Sequence, residues 1–98
     1  MAIKVFIRRT CPKERQKELY KYIREIRSLV PMQPGYISSE YLKTIDESNE
    51  ITTISSWFSL EDWQAWLNSD RRKEIQAKID TIEGVESEYR IYRYIKTR

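Results

Sequence analysis

Histidine is absent from the 98 residues. Its absence removes the commonest general base, the commonest metal ligand and any histidine-ligated haem, and it deprives a nucleophilic cysteine of its usual partner. Cysteine occurs once, at Cys11, so no intrachain disulfide forms, which agrees with a reducing compartment. Long apolar runs are missing as well. Charged residues make up 34% of the chain, and no stretch approaches the roughly 20 apolar residues of a membrane span. The run Met1 to Ile7 is too short for a secretory h-region, so the expected location is cytoplasmic, with no membrane partner. Charge of one sign is only slightly in excess, at a net +3, with the two signs alternating along the chain. The local basic excess is C-terminal, where Arg90, Arg93, Lys96 and Arg98 interleave with Tyr89, Tyr92 and Tyr94. On paper that resembles a nucleic-acid face, but no glycine-bearing RNA-recognition signature accompanies it. A cation-defended edge strand accounts for the same residues, and no nucleic-acid partner is expected.

What is present concentrates between Ser55 and Asp70, which holds all three tryptophans. Ser59 is an N-cap candidate whose side chain can accept from the amide near Asp62, and Glu61 and Asp62 put negative charge in a positive first turn. A helix therefore starts at Leu60, with Leu60, Trp63 and Leu67 at three- and four-residue spacing and Trp66 beside them. Ile51 to Phe58, β-branched and aromatic, reads as the strand before it. One indole at a strand end faced by two on a helix fits either an aromatic pocket wall or plain core.

At 98 residues the chain is expected to be a single domain spanning 1–98. Ile3 to Arg9 alternates, with Ile3, Val5 and Ile7 on one face and Lys4, Phe6 and Arg8 on the other. A helix should begin near Pro12 and carry Leu19, Tyr22, Ile23, Ile26, Leu29 and Val30 as one apolar stripe until Pro31 and Pro34-Gly35 stop it. Tyr36 to Thr44 forms a second strand, with Tyr36, Ser38, Glu40 and Leu42 opposite Ile37, Ser39 and Tyr41. Ile45 to Asn49 has turn composition. Ser69 or Asp70 caps a further helix bearing Ile75, Ile79 and Ile82, so a kink or break is expected at 68–70. Gly84 suits its C-cap, and Glu88 to Ile95 is the last strand.

Strand, helix, strand, strand, helix, strand is the order of a split βαβ, ferredoxin-like α+β fold: a four-stranded antiparallel sheet with the helices on one face. The first and third strands would be central. If Ile3, Val5 and Ile7 face the helices, then Phe6, Ile54, Phe58, Tyr92 and Tyr94 face away, and two sheets packed face to face would bury them. A homodimer through the sheet face follows as an expectation.

Pro34-Gly35-Tyr36-Ile37 entering the second strand and Glu40-Tyr41-Leu42 within it resemble the antibiotic biosynthesis monooxygenase family of dimeric α+β-barrel domains. So do Ser55-Ser56-Trp57-Phe58-Ser59 closing the third strand and Trp66-Leu67-Asn68-Ser69-Asp70 breaking the second helix, and the likeness covers almost the whole chain. Within that family the haem-degrading branch shares Trp57. It carries a helical histidine where this chain has Gln76, and a first-strand asparagine where this chain has Ile7 or a neighbour. The cofactor-independent oxygenases imply a pocket between sheet and helices for a phenolic or quinol substrate, with no metal, flavin or other cofactor. The resemblance then makes Trp57 a stacking wall, with Thr53 and Ser55 on the same side of its strand, Trp63 and Trp66 closing the top and Tyr22 adding a phenol. No acid and base pair stands out, so catalytic residues are unassigned. Arg8, the nearest cation by sequence, has opposite parity to Ile7 and fits the dimer interface as well. The alternative reading is a non-catalytic dimeric module that binds a ligand or supports a partner.

Overall fold

A computed structural model describes all residues, 1–98. Four strands, β1 (Ile3–Thr10), β2 (Tyr36–Lys43), β3 (Glu50–Trp57) and β4 (Glu86–Arg93), form one antiparallel sheet in the order β2-β3-β1-β4. The first and third strands are central, as a split βαβ pattern requires. Three helices, α1 (Gln16–Leu29), α2 (Leu60–Leu67) and α3 (Asp70–Asp80), complete a ferredoxin-like α+β fold. No helix is long and apolar enough to cross a membrane.

Alternation along β1 puts Ile3, Val5 and Ile7 into the core. Two apolar clusters result. Ile3, Val5 and Ile7 meet Val30, Trp57, Trp63 and Trp66 at one end, and Cys11 meets Leu19, Ile23, Ile51, Ile75, Ile79 and Ile82 at the other. Trp57 has no exposed surface. Burying an indole of that size contributes roughly 4 to 6 kcal/mol of gross hydrophobic stabilisation at about 25 cal/mol per Å².

Caps set the helix starts. Ser59 accepts from the Asp62 amide at 3.1 Å and opens α2, and Ser69 accepts from the Arg72 amide at 3.3 Å and opens α3, so the expected break at 68–70 separates two helices. Gly35 has φ +81°, and a Cβ there would collide with the Asp62 side chain, which leaves only glycine at ease between the end of α1 and the cap of α2.

The ends of β1, β2 and β3 fall within one residue of the sequence reading, and three boundaries differ from it by more. Pro12 precedes a 3₁₀ turn, Lys13–Arg15, and α1 proper starts at Gln16, because Pro12 is itself extended at ψ 140°. Helix α3 stops at Asp80 with Thr81 as its C-cap, and Gly84 lies beyond, in the turn before β4, at φ +84° and close against the Pro12 ring. Strand β4 runs two residues earlier than Glu88–Ile95, since that turn already delivers Glu86 opposite Thr10.

A fourth difference concerns Tyr36. The β2–β3 register shifts between Tyr36 and Ser38, a bulge that leaves Ile37 without a partner. Tyr36 therefore lies opposite Trp57, on the same side as Ser39 and Tyr41, and not with Ser38 and Glu40. Its ring meets Trp57 edge-on at 5.5 Å, and its hydroxyl donates to Ser39 Oγ at 2.8 Å.

Candidate functional site

Between the two apolar clusters the interior turns polar, and three elements make it so. Arg9 continues the inward parity of Ile3, Val5 and Ile7 and is only 2% exposed. From α3, Arg72 precedes Ile75 and Ile79 on the helical face turned to the sheet and is equally buried. From β4, Tyr89 lies opposite Ile7 and points the same way.

These groups form one chain of hydrogen bonds. Arg72 Nη2 donates to the Tyr89 hydroxyl at 2.8 Å, Tyr89 donates to Gln76 Oε1 at 3.1 Å, and Arg9 Nη2 donates to the same oxygen at 2.9 Å. Gln76 Nε2 donates outward to Asp80 at 2.8 Å. The Arg72 guanidinium also lies 5.6 Å over the Trp63 ring and 5.4 Å over the Tyr89 ring, a geometry in which the π faces offset part of its charge. Neither Arg9 nor Arg72 takes part in an ion pair; the salt bridges lie at the surface, on Arg8, Arg15, Arg71 and Arg90. Burial holds the Arg9 guanidinium below its ordinary pKa, with Tyr89 opposing that effect and the nearby Arg72 cation adding to it.

Four buried polar atoms here have no partner: Arg9 Nε, Arg72 Nε, Trp63 Nε1 and Ser87 Oγ. Three of them are N–H groups that only donate. Beside them lies a small cavity of about 20 Å³ between sheet and helices, lined among others by Arg9, Tyr41, Thr53, Ser55, Trp63 and Trp66. That is room for one water. Burial also raises the Tyr41 phenol above its ordinary pKa. On the far side of Trp63 and Arg72 an open groove of about 500 Å³ runs between α2, α3 and β4, past Leu67, Tyr89 and Ile91. Trp63 and Arg72 line both spaces.

Of the residues the sequence singled out, Thr53, Ser55, Trp63 and Trp66 come together on the cavity. Trp57 does not line it. Enclosed by Tyr36 and Trp63, it donates its Nε1 proton to Ser55 Oγ at 3.1 Å and supports the cavity from behind. Tyr22 does not line it either; it is half-buried on α1 with Lys21 Nζ 5.6 Å from its ring, because its place on the helix turns it to the flank beside the second cluster. Arg8 is on the outer face, paired with Glu88 at 3.0 Å and Glu50 at 3.7 Å. Arg9, Arg72, Gln76 and Tyr89 were not foreseen as a group. Parity along β1 and the spacing of Arg72 with Ile75 and Ile79 contain the signal. No group of three or more His, Cys, Asp or Glu side chains is placed to hold a metal ion.

Sheet order, helix placement and the enclosed aromatic interior define an α+β domain of the ferredoxin-like class, with its cavity between the sheet and the helices. The model of the antibiotic biosynthesis monooxygenase family matches residues 2–78, and the chain belongs to that family. Solved structures agree in fold. A conserved protein from Methanosarcina mazei Go1 superposes with a TM-score of 0.87 at 20% identity, over 95% of this chain and 92% of that one. SnoaB from Streptomyces nogalater, a cofactor-independent oxygenase, gives 0.82 at 16% identity, over 98% and 95%. Rv0793 from Mycobacterium tuberculosis gives 0.87 at 9% identity, over 98% and 97%. No curated protein sequence matches significantly.

Proposed function

We propose that this chain is a small monooxygenase that works without metal or flavin on an aromatic phenol or quinol, as a twofold dimer joined through the outer face of its sheet. The observation that carries the reading is the cavity under Trp63 and Trp66, with unpartnered N–H donors beside it, in a chain of this family. An ionised phenol is electron-rich enough to reduce dioxygen itself. Phenol and dioxygen give quinone and water, one oxygen atom going to each product, with the substrate supplying the electrons. The protein is then asked to exclude water, stack the ring and favour the anion, which indoles and buried N–H groups do. Support for the dimer is the outer face, where Phe6 meets Tyr92 edge-on at 5.1 Å and Leu42 and Tyr92 are about half exposed.

Aerobic incubation with a panel of hydroquinones and anthrone-type phenols tests the chemistry. Protein-dependent oxygen uptake that falls in a Trp63→Ala variant is the expected result, and no uptake across the panel refutes it. A second reading, a non-catalytic ligand-binding or structural module, draws support from the small size of the cavity, which at about 20 Å³ admits one water and no aromatic ring.

A further inference from the structure

We infer that Arg9 and Arg72 form the two sides of an anion-holding site, and that the molecule taken into this interior is a planar aromatic acid bearing a carboxylate or an equally delocalised oxyanion. The inference rests on the ligand-binding part of the proposed function, not on its chemistry with oxygen.

Two guanidinium groups, each 2% exposed, share one interior without a carboxylate bonded to either. Buried charges are ordinarily paired, since an unpaired one is costly in low dielectric. The hydroxyl of Tyr89 and the amide of Gln76 satisfy one Nη2 of each arginine, but they bring no formal negative charge. Each guanidinium still has its Nε–H free, and the indole N–H of Trp63 is free beside them. Three donors lack acceptors, and the carboxylate whose charge reaches Arg9, Asp80, is exposed, bonded to Gln76 and in contact with neither guanidinium. A water in the 20 Å³ cavity would accept from at most two of those donors and neutralise nothing. A carboxylate offers two oxygens and about four acceptor positions, which match planar guanidinium donors.

The walls specify the remainder of the ligand. Trp63 and Trp66 stand over the cavity, Tyr41 beside it, and Trp63 and Tyr89 continue into the groove of about 500 Å³. Because Trp63 and Arg72 border both spaces, an acid lying in the groove can turn its charged end toward Arg72, on the side that leads to Arg9. The groove is then the way in, and the aromatic body lies along Trp63.

Calorimetric titration of the whole chain with naphthoate and with uncharged naphthamide of the same shape tests this, with inorganic phosphate as an anion lacking a ring. Naphthoate should bind roughly tenfold or more tightly than naphthamide, and phosphate should bind far more weakly than naphthoate. That gap should close in Arg9→Gln and in Arg72→Gln and persist in Arg8→Gln, the surface neighbour of opposite parity. Circular dichroism checks that each variant is folded, and the wild-type comparison of the probes stands without any variant. Equal affinity for the two naphthalenes, no binding of either, phosphate binding as tightly as naphthoate, a gap that survives both interior substitutions, or one that disappears in Arg8→Gln each overturn the inference. Oxygen uptake from phenols without the charge preference would leave the oxygenase reading standing and remove this one. The charge preference without oxygen uptake would do the reverse.

Discussion

Trp57 shows how a single side chain can be legible for its face while two tasks, pocket wall and core, stay open in the sequence. Its parity with Thr53 and Ser55 is plain from the two-residue period of β3, but full burial and a bond to Ser55 Oγ make it a support for the cavity. Trp57→Ala should therefore lower unfolding free energy by about 3–5 kcal/mol, read as a shift of the urea midpoint at unchanged slope. Arg9 is the opposite case. Charged residues are seldom fully buried, so an arginine at the end of a strand reads as solvated, and its inward parity is legible only once it is granted that β1 stays paired as far as Thr10. Cys11 also shows its setting: it has no exposed surface, and burial first, then Glu14 and Glu18, push its thiol up. Iodoacetamide should modify the native chain at neutral pH far more slowly than the chain in denaturant, followed by mass.

At the scale of elements, the helix starts were legible because a cap is a local event between residues three apart. Ser59→Ala should cost about 1 kcal/mol in stability, and Ser69→Ala a similar amount, both measurable by chemical denaturation. Gly35→Ala should cost more than a cap, since it adds a strained φ to a collision with Asp62 at the start of α2. The bulge at Ile37 was not legible. A strict alternation of period two contains nothing that marks an inserted residue, and only the pairing of Tyr36 with Trp57 across the sheet fixes it. The same holds for β4, whose start depends on how the turn at Gly84 packs on Pro12, far away in sequence.

For the whole molecule, the order of elements and the apolar face of β1 were enough to give the topology, because few arrangements bury both sets of apolar residues under one sheet. The interior polar chain was not, because its members come from three elements whose local patterns look ordinary and become a site only when β1, α3 and β4 converge. Assembly belongs at this scale too. If the outer face is the dimer contact, Phe6→Glu should shift sedimentation from dimer to monomer while far-ultraviolet circular dichroism stays native. A monomeric wild-type chain would refute the assembly.

The order β2-β3-β1-β4 also governs how the chain comes into being. Strand β1, the first of the four, waits for β3, roughly fifty positions later, to cover one edge and for β4, more than eighty later, to cover the other. Until β4 is made, β1 offers an open edge that a stray strand could join, and the Gln76 oxygen that Arg9 bonds lacks Tyr89, its other donor. The emerging polypeptide should thus have its greatest need of chaperones late, in the interval just before β4 docks.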